Sequence, residues 1–180
     1  MKKSLLLTTL LLVASFSYAE VLDFTSGVTI DTNYDTFGST ATESGISFSG
    51  SDLGNVVSAY WDTAQDLSSW ATATEAIISG SMTSAPTSVF DVILYDSNFN
   101  TVTLSGGSWV NISNVGSDAL VIPANSFAWN DVTAFDINTG GAGETVTGTI
   151  TNISIVPEPS TYALIAGFAA FLFVAIRRRK

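Results

Sequence analysis

The sequence predicts an all-β domain, a two-sheet antiparallel sandwich, between an N-terminal signal peptide and a single C-terminal transmembrane helix. Residues 20–156 are rich in Thr, Ser, Val, Ile and aromatic residues, which favour strands. Gly, Asn, Asp or Ser interrupt this composition about every eight to twelve residues, as in sandwiches and barrels. Cysteine is absent, so the domain has to be stabilised by its own core rather than by disulfides.

Strand-like segments recur along the whole of this domain. One short helical turn is predicted near 62–69, and Asp96–Asn100 has the Asx-type residues of a hairpin loop. The candidate strands are Val21–Phe24, Gly45–Phe48, Val56–Trp61, Ala73–Ser81, Val89–Tyr95, Thr101–Leu104, Ala119–Ile122, Thr133–Ile137 and Thr147–Ile155.

The last of these segments changes its pattern partway along. Val146 and Ile150 fall on one parity of the strand, whereas Ile153 and Ile155 fall on the other. Successive side chains of a strand point to opposite faces, so a fixed parity would leave one of these pairs outside the core. The pattern therefore predicts a bulge near Thr151.

The order of several segments resembles that of galactose-binding-like jelly rolls over residues 56–155. This resemblance implies a jelly-roll form of the sandwich, carbohydrate binding and a structural calcium ion, for which it nominates Asp23 and Asp136. The segments that carry the resemblance are Asp66–Trp70, Phe90–Asp96, Leu120–Pro123, Ala134–Ile137 and Ile153–Ile155.

The N-terminus has the three parts of a secretory signal peptide. Lys2 and Lys3 supply the positive start, Leu5–Val13 is apolar apart from two threonines, and Ser17–Ala19 is a small-x-small cleavage site. We therefore expect residues 1–19 to be removed and the exported domain, 20–156, to begin at Glu20.

The C-terminal segment 157–180 contains an apolar helix that is short for a permanent membrane anchor. Tyr162–Ile176 has no charge, and as a helix it would span roughly 22 Å, against about 30 Å for the hydrocarbon core. By the positive-inside rule the basic end stays cytoplasmic. That end, the predicted membrane stop, consists of Arg177, Arg178, Arg179 and Lys180.

A motif, Val156, Pro157, Glu158, Pro159 and Ser160, precedes this helix. Motif, apolar helix and basic cluster in this order resemble a PEP-CTERM sorting signal. The resemblance implies a bacterial setting, recognition by an exosortase-like membrane transpeptidase, an inner-membrane intermediate, and delivery to the cell surface or extracellular matrix. The alternative is a simple single-pass anchor after a Pro-rich linker.

Charge is distributed very unevenly along the chain. All sixteen acidic residues lie between Glu20 and Glu158, and no Lys, Arg or His lies between Lys3 and Arg177. Such a domain repels polyanions, which excludes nucleic acid as a partner and leaves cations and neutral glycans. Salt or calcium should relieve the self-repulsion and stabilise the fold.

The same composition argues against an enzyme. Without His, Cys, Lys or Arg, the domain lacks catalytic triads, Schiff-base lysines and phosphate clamps. Carboxylate chemistry such as glycoside hydrolysis remains. However, nothing in the spacing of Glu43, Glu75 and Glu144 singles out a catalytic pair.

Calcium is the candidate cation. Asp31, Asn33 and Asp35 place oxygen donors at alternate positions, as the first half of an EF-hand loop does. The rest of that loop fails, because Thr36 stands where Gly is needed and Thr42 where Glu is needed.

Tryptophans are the candidates for glycan recognition, because an indole offers a flat apolar face to the C–H face of a sugar. Trp129 has Asn130 and Asp131 beside it as hydrogen-bonding groups, and Trp109 is the second candidate. Trp61 ends an apolar segment and is predicted to lie in the core.

The sequence thus favours an exported, non-catalytic surface or matrix protein. In one version it binds extracellular polysaccharide through exposed aromatic residues; in the other it is a structural matrix component without a specific ligand. The rival from another class is a carboxylate-dependent glycoside hydrolase or lyase.

Overall fold

The computed structural model describes residues 20–155 and Phe168. The predicted signal peptide, sorting motif and basic cluster lie outside the described residues, as does the apolar helix 162–176 apart from Phe168. Within the described residues no helix is both long enough and apolar enough to cross a bilayer.

The domain is all-β and antiparallel, as predicted. Its helical segments are a 3-10 turn at Ser68–Thr72 and α1 at Trp109–Val115. The strands are β1 (Val21–Asp23), β2 (Val28–Ile30), β3 (Thr40–Thr42), β4 (Gly45–Gln65), β5 (Glu75–Ser84), β6 (Val89–Asp96), β7 (Thr101–Ser108), β8 (Ser117–Val121) and β9 (Val132–Ile155).

The sheet is continuous rather than divided into two, which corrects the two-sheet prediction. Its order is β2-β4-β9-β5-β8-β7-β6, and β6 pairs again with β9. The N-terminal half of β9 pairs with β6, and its C-terminal half pairs with β5. The strands between these two pairings therefore close into a flattened, barrel-like sandwich.

Strand β9 is shared by both layers of this sandwich, and β4 accompanies it. Their register runs from Ile46 opposite Ile150 to Gln65 opposite Val132. The first layer contains β2, the second half of β4, the first half of β9, β6 and β7. The second layer contains β1, β3, the first half of β4, the second half of β9, β5 and β8. Phe24, beyond β1, stacks on Phe135 of the first layer at 4.6 Å between ring centroids.

The predicted bulge at Thr151 is confirmed. Ser79 lies opposite Asn152, whereas the next residue, Gly80, lies opposite Ile150. Thr151 is therefore the extra residue, and both Ile150 and Ile153 are buried despite their different parity.

Helix α1 lies in a segment for which the sequence predicts neither a helix nor a strand. Trp109 and Ile112, three residues apart, are its buried residues. Gly116 ends the helix with a left-handed φ of 79° and donates its N–H to the Ile112 carbonyl. The helix fills the core beside β6, where Trp109 stacks on Phe90 at 4.0 Å.

Candidate functional site

A row of outward-facing side chains crosses the first layer at right angles to its strands. Thr29 of β2 lies opposite Tyr60 of β4, which lies opposite Ala134 of β9. Ala134 also lies opposite Tyr95 of β6, which lies opposite Thr101 of β7. Residues directly opposite on neighbouring strands share one face of a sheet, so these five residues form one surface feature, called here the tyrosine row.

Two aromatic rings flank a small residue at the centre of the row. Tyr60 is 42% exposed, and Tyr95 is half-buried. Neighbouring strands lie about 4.8 Å apart, so the two tyrosines are anchored roughly 10 Å from each other across Ala134. Because the side chain of Ala134 is a single methyl group, it forms the base of the space between the two rings without filling that space.

A carboxylate fixes one of these rings. The Tyr95 hydroxyl donates a 2.6 Å hydrogen bond to Asp136 Oδ2, and Asp136 lies two residues along β9 from Ala134 on the same face. Burial, together with this hydrogen bond and the negative charge of Asp136, raises the pKa of Tyr95 to about 12. The phenol is therefore protonated at neutral pH and its ring is held in place.

The predicted tryptophan sites do not lie on the surface. Trp109 is 0% exposed and Trp129 is 5% exposed, so neither offers an indole face to a glycan. Trp109 packs between Phe90 and Phe48, and Trp129 packs against Trp70 and Phe127. The structure corrects the prediction that these two side chains stack on sugar.

The third tryptophan considered in the sequence behaves as predicted. Trp61 is 6% exposed, and its ring lies beside those of Phe24 and Phe135. The prediction that Trp61 is a core residue is confirmed.

The two polar neighbours of Trp129 have separate surroundings. Asn130 is exposed, and Asp131 accepts a hydrogen bond from the Ser97 hydroxyl. Without an accessible indole beside them, they do not form the combined stacking and hydrogen-bonding site that the sequence predicts.

The carboxylates nominated as metal ligands act as local hydrogen-bond acceptors. Asp31 Oδ1 accepts a hydrogen bond from the backbone N–H of Asn33 at 3.0 Å. Asp35 accepts the backbone N–H and the hydroxyl of Ser39, at 2.8 and 2.6 Å. These bonds shape the loop after β2, as Asx-type turns do.

The pair that the jelly-roll resemblance nominates is also separated. Asp23 accepts hydrogen bonds from the N–H and hydroxyl of Thr25, and it lies opposite Asn152 in the second layer. Asp136 lies in the first layer, opposite Ser58. Across residues 20–155 no three acidic side chains converge as metal ligands would.

A second, neutral surface lies on the other layer. A groove of 420 Å³ is lined mainly by hydroxyl groups. Two pairs of these hydroxyls bond to each other, Ser47 to Thr149 at 2.9 Å and Ser49 to Thr147 at 2.8 Å. This hydroxyl groove has one aromatic residue, Phe48, whose ring is buried.

Sequence reasoning misses the tyrosine row, although one signal for half of it is present. Val57, Ala59 and Trp61 alternate inward, so Tyr60 has to point outward. Nothing local shows that Tyr95 lies two strands away from it, because β4 and β6 are brought together only through β9.

No family model matches the chain, and no curated protein matches it. Among solved structures, the chain is similar to a mutant Xylanase10C from Cellvibrio japonicus in complex with xylopentaose, with 12% identity and a TM-score of 0.44 over 77% of this chain and 29% of that chain. It is also similar to the xylan-binding module CBM15, with 14% identity and a TM-score of 0.43 over 78% of this chain and 99% of that chain. A third similar structure is the Crh5 transglycosylase in complex with NAG, at 11% identity and a TM-score of 0.37 over 77% of this chain and 84% of that chain.

Proposed function

We propose that this chain is an exported, non-catalytic protein of the cell surface or extracellular matrix that binds a neutral polysaccharide through the tyrosine row. The observation that carries the proposal is the pair of tyrosines on either side of Ala134. A sugar ring has apolar C–H faces that pack on aromatic rings, and hydroxyl groups at its edge that need polar partners. The row presents both kinds of group.

The polar partners lie beside the rings. Asp136 binds the Tyr95 hydroxyl. At the other end of the row, Asp62 accepts a hydrogen bond from the Thr29 hydroxyl at 3.3 Å. Carboxylates accept hydrogen bonds from sugar hydroxyls, and those near the rings can orient a chain that stacking alone leaves free to slide.

Charge selects the class of polysaccharide. Acidic side chains are the only charged side chains between Glu20 and Glu158. An anionic polymer would be repelled from every side of this domain, whereas a neutral one would not. A neutral glycan therefore fits the row best.

Delivery to the exterior is part of the proposal and is supported by the sequence at both ends. The signal-peptide pattern of residues 1–19 directs the chain outward, and Val156–Ser160 with the apolar helix and basic cluster fit processing by an exosortase-like transpeptidase. The membrane is then a temporary partner, through the C-terminal helix.

The experiment is binding of the purified full-length chain to immobilised neutral and anionic polysaccharides. Wild type is compared with Ala134→Ile, which fills the space between the rings, and with Ala41→Ile, the same change at an exposed strand position of β3. We expect binding to at least one neutral polysaccharide, a loss of about tenfold or more in Ala134→Ile, and wild-type binding in Ala41→Ile.

Three results would overturn the proposal. Binding that Ala134→Ile leaves unchanged would move the site elsewhere, with the hydroxyl groove as the next surface to mutate. Absence of binding to any polysaccharide would favour a structural matrix component. New reducing ends in the bound polysaccharide would favour a carboxylate-dependent hydrolase or lyase.

A further inference from the structure

The β6–β7 hairpin carries an exposed phenylalanine at its tip. Phe99 is 84% exposed, more than any other large apolar side chain of residues 20–155. Its φ is 61°, and among the residues that the structure describes it is the only one other than glycine with a positive φ. Left-handed backbone is uncommon for a bulky residue, so Phe99 is a conformational outlier.

The turn imposes this conformation on Phe99. The Asp96 N–H donates to the Asn100 carbonyl, and the Phe99 N–H donates to the Asp96 carbonyl, both at 3.0 Å. The hairpin therefore has a three-residue loop whose last residue is left-handed, a position that glycine usually occupies. A phenylalanine at this position is strained, whereas a glycine would not be.

A buried carboxylate prevents the turn from relaxing. Asp96 is 1% exposed. It accepts hydrogen bonds from the backbone N–H groups of Asn98 and Asn100, both at 2.9 Å, and from the Asn100 side-chain amide at 2.8 Å. If the turn opened, this carboxylate would lose its donors, which is unfavourable for a buried group. The backbone that carries Phe99 is therefore rigid.

The fold gains little from the Phe99 ring. A side chain that is 84% exposed buries little apolar surface, so it adds little to the stability of the core. The same residue also carries the strain of a left-handed backbone. A strained residue at a position where glycine would be more stable indicates a role in function rather than in folding.

Phe99 lies beside one end of the tyrosine row. It precedes Thr101, the last residue of the row, by two positions, so their Cα atoms are at most about 7 Å apart. Tyr95 lies directly opposite Thr101. Phe99 is therefore a further aromatic ring within reach of a polymer that packs on Tyr60 and Tyr95.

The chemistry at the tip suits a sugar. Asn98 is exposed next to Phe99, and its amide can both donate and accept hydrogen bonds. Two carboxylates of this region already have partners, Asp96 in the turn and Asp131 in the bond from the Ser97 hydroxyl. An aromatic face beside an amide matches the C–H face and the hydroxyl edge of a neutral sugar.

We propose that Phe99 is an additional stacking position for the neutral polysaccharide, which continues from the tyrosine row onto the tip of the β6–β7 hairpin. This inference rests on the proposed function and adds the length of the ligand to it. The site binds a chain that covers both the row and the hairpin tip, and it binds short fragments through the row alone.

The test begins with affinity electrophoresis of the full-length chain in gels that contain hydroxyethylcellulose, dextran, galactomannan or arabinoxylan. The polymer that retards wild type most, and a trisaccharide prepared from it, are then titrated by calorimetry into wild type, Phe99→Gly, Phe99→Tyr and Tyr60→Ala.

Phe99→Gly should raise Tm, because glycine is unstrained at this φ. It should also raise the Kd for the polymer by about threefold to tenfold, as expected for the loss of one stacking ring. The Kd for the trisaccharide should remain that of wild type. Phe99→Tyr keeps an aromatic ring and should bind both ligands as wild type does.

The outcomes separate this inference from the function on which it rests. An unchanged Kd for the polymer in Phe99→Gly, together with a higher Kd in Tyr60→Ala, would overturn the role of Phe99 alone. So would a fall in Tm or an equal loss of trisaccharide binding in Phe99→Gly, because the ring would then support the fold or the row itself. If no gel retards wild type, or if Tyr60→Ala binds the polymer as wild type does, the inference fails together with the proposed function.

Discussion

The surroundings of Tyr95 fix its ring on the proposed binding surface. Its ring is partly covered, and its hydroxyl is held by Asp136 at 2.6 Å. A ring fixed in this way loses little conformational freedom when a ligand packs against it. Burial and the Asp136 carboxylate both oppose ionisation, so the pKa of Tyr95 is raised to about 12.

This shift gives a titration prediction. The folded pKa lies above the ordinary value of 10.0, so the contribution of Tyr95 to stability is fully present below about pH 10 and is lost as the pH rises through about 12. In a stopped-flow pH jump followed by tyrosinate absorbance, we expect one tyrosine to ionise near pH 12 and to be missing in Tyr95→Phe. Asp136→Asn should lower this pKa only in part, because burial remains. Loss of a tyrosine that titrates near 10 in Tyr95→Phe would contradict the assignment.

Residue identity alone does not show whether a tryptophan lies in the core or on the surface. An indole suits a sugar face and a protein core equally well. Trp109 lies between Ser108 and Val110 in the sequence but packs between Phe90 and Phe48 in space. The turn at Asp96 is more predictable than the tryptophan positions, because its determinants are local. Asp96 accepts hydrogen bonds from the backbone N–H groups of Asn98 and Asn100. The Asn100 side-chain amide, against the opposing effect of burial, lowers the pKa of Asp96.

At the scale of elements, the sequence predicts which segments form strands, but it does not predict which of these segments join into one long strand. Gly45–Phe48 and Val56–Trp61 are predicted as separate strands, because the Gly, Ser, Asp and Asn residues between them favour a loop. In the structure both belong to β4, since β9 offers a partner along its whole length and absorbs the irregularities as shifts of register. The same explanation covers the predicted division of β9 into 133–137 and 147–155.

Helix α1 is an element that local propensity does not predict. Trp-Val-Asn-Ile-Ser-Asn-Val contains few good helix formers, so propensity favours extended structure. Burial of Trp109 and Ile112 on one face and the cap at Gly116 determine the helix instead. These are tertiary effects, whereas the Thr151 bulge is predictable because alternation of side chains is a property of the strand itself.

The strand pairing gives an element-scale prediction at Gly45, the first residue of β4. Its φ is 114°, and a Cβ there would overlap the Ile150 carbonyl oxygen of β9. We expect Gly45→Ala to lower the free energy of unfolding by about 2–4 kcal/mol. The new Cβ would displace the Ile150 carbonyl, and alanine would be strained at this positive φ.

Gly140→Ala is the matched control in chemical denaturation. This glycine lies on β9, and a Cβ placed on it would have no neighbour within 4 Å. Its replacement should therefore change stability by about 1 kcal/mol or less. Equal losses in the two variants would show that the close approach of Gly45 to Ile150 does not limit side-chain size.

For the whole molecule, the proposed function combines two properties: the acidic composition of the domain and the tyrosine row. The acidic composition by itself argues against polyanions, so the proposed class of ligand, a neutral glycan, follows from the sequence. The location of the proposed site depends on β2, β4, β9, β6 and β7 lying side by side, which no local pattern encodes. The sequence accordingly favours tryptophans as the binding residues, whereas the two rings of the proposed site are tyrosines on the strands that flank β9.

The measurement that tests the central claim most directly is calorimetric titration of a bound neutral polysaccharide into wild type, Tyr60→Ala and Tyr34→Ala. Tyr34 is 69% exposed in the loop after β2, so it controls for the loss of any exposed tyrosine. We predict that Tyr60→Ala raises Kd by about tenfold or more, equivalent to about 1.4 kcal/mol of binding free energy, while Tyr34→Ala binds as wild type does. An unchanged Kd in Tyr60→Ala, or an equal loss in both variants, would contradict the tyrosine row as the binding site.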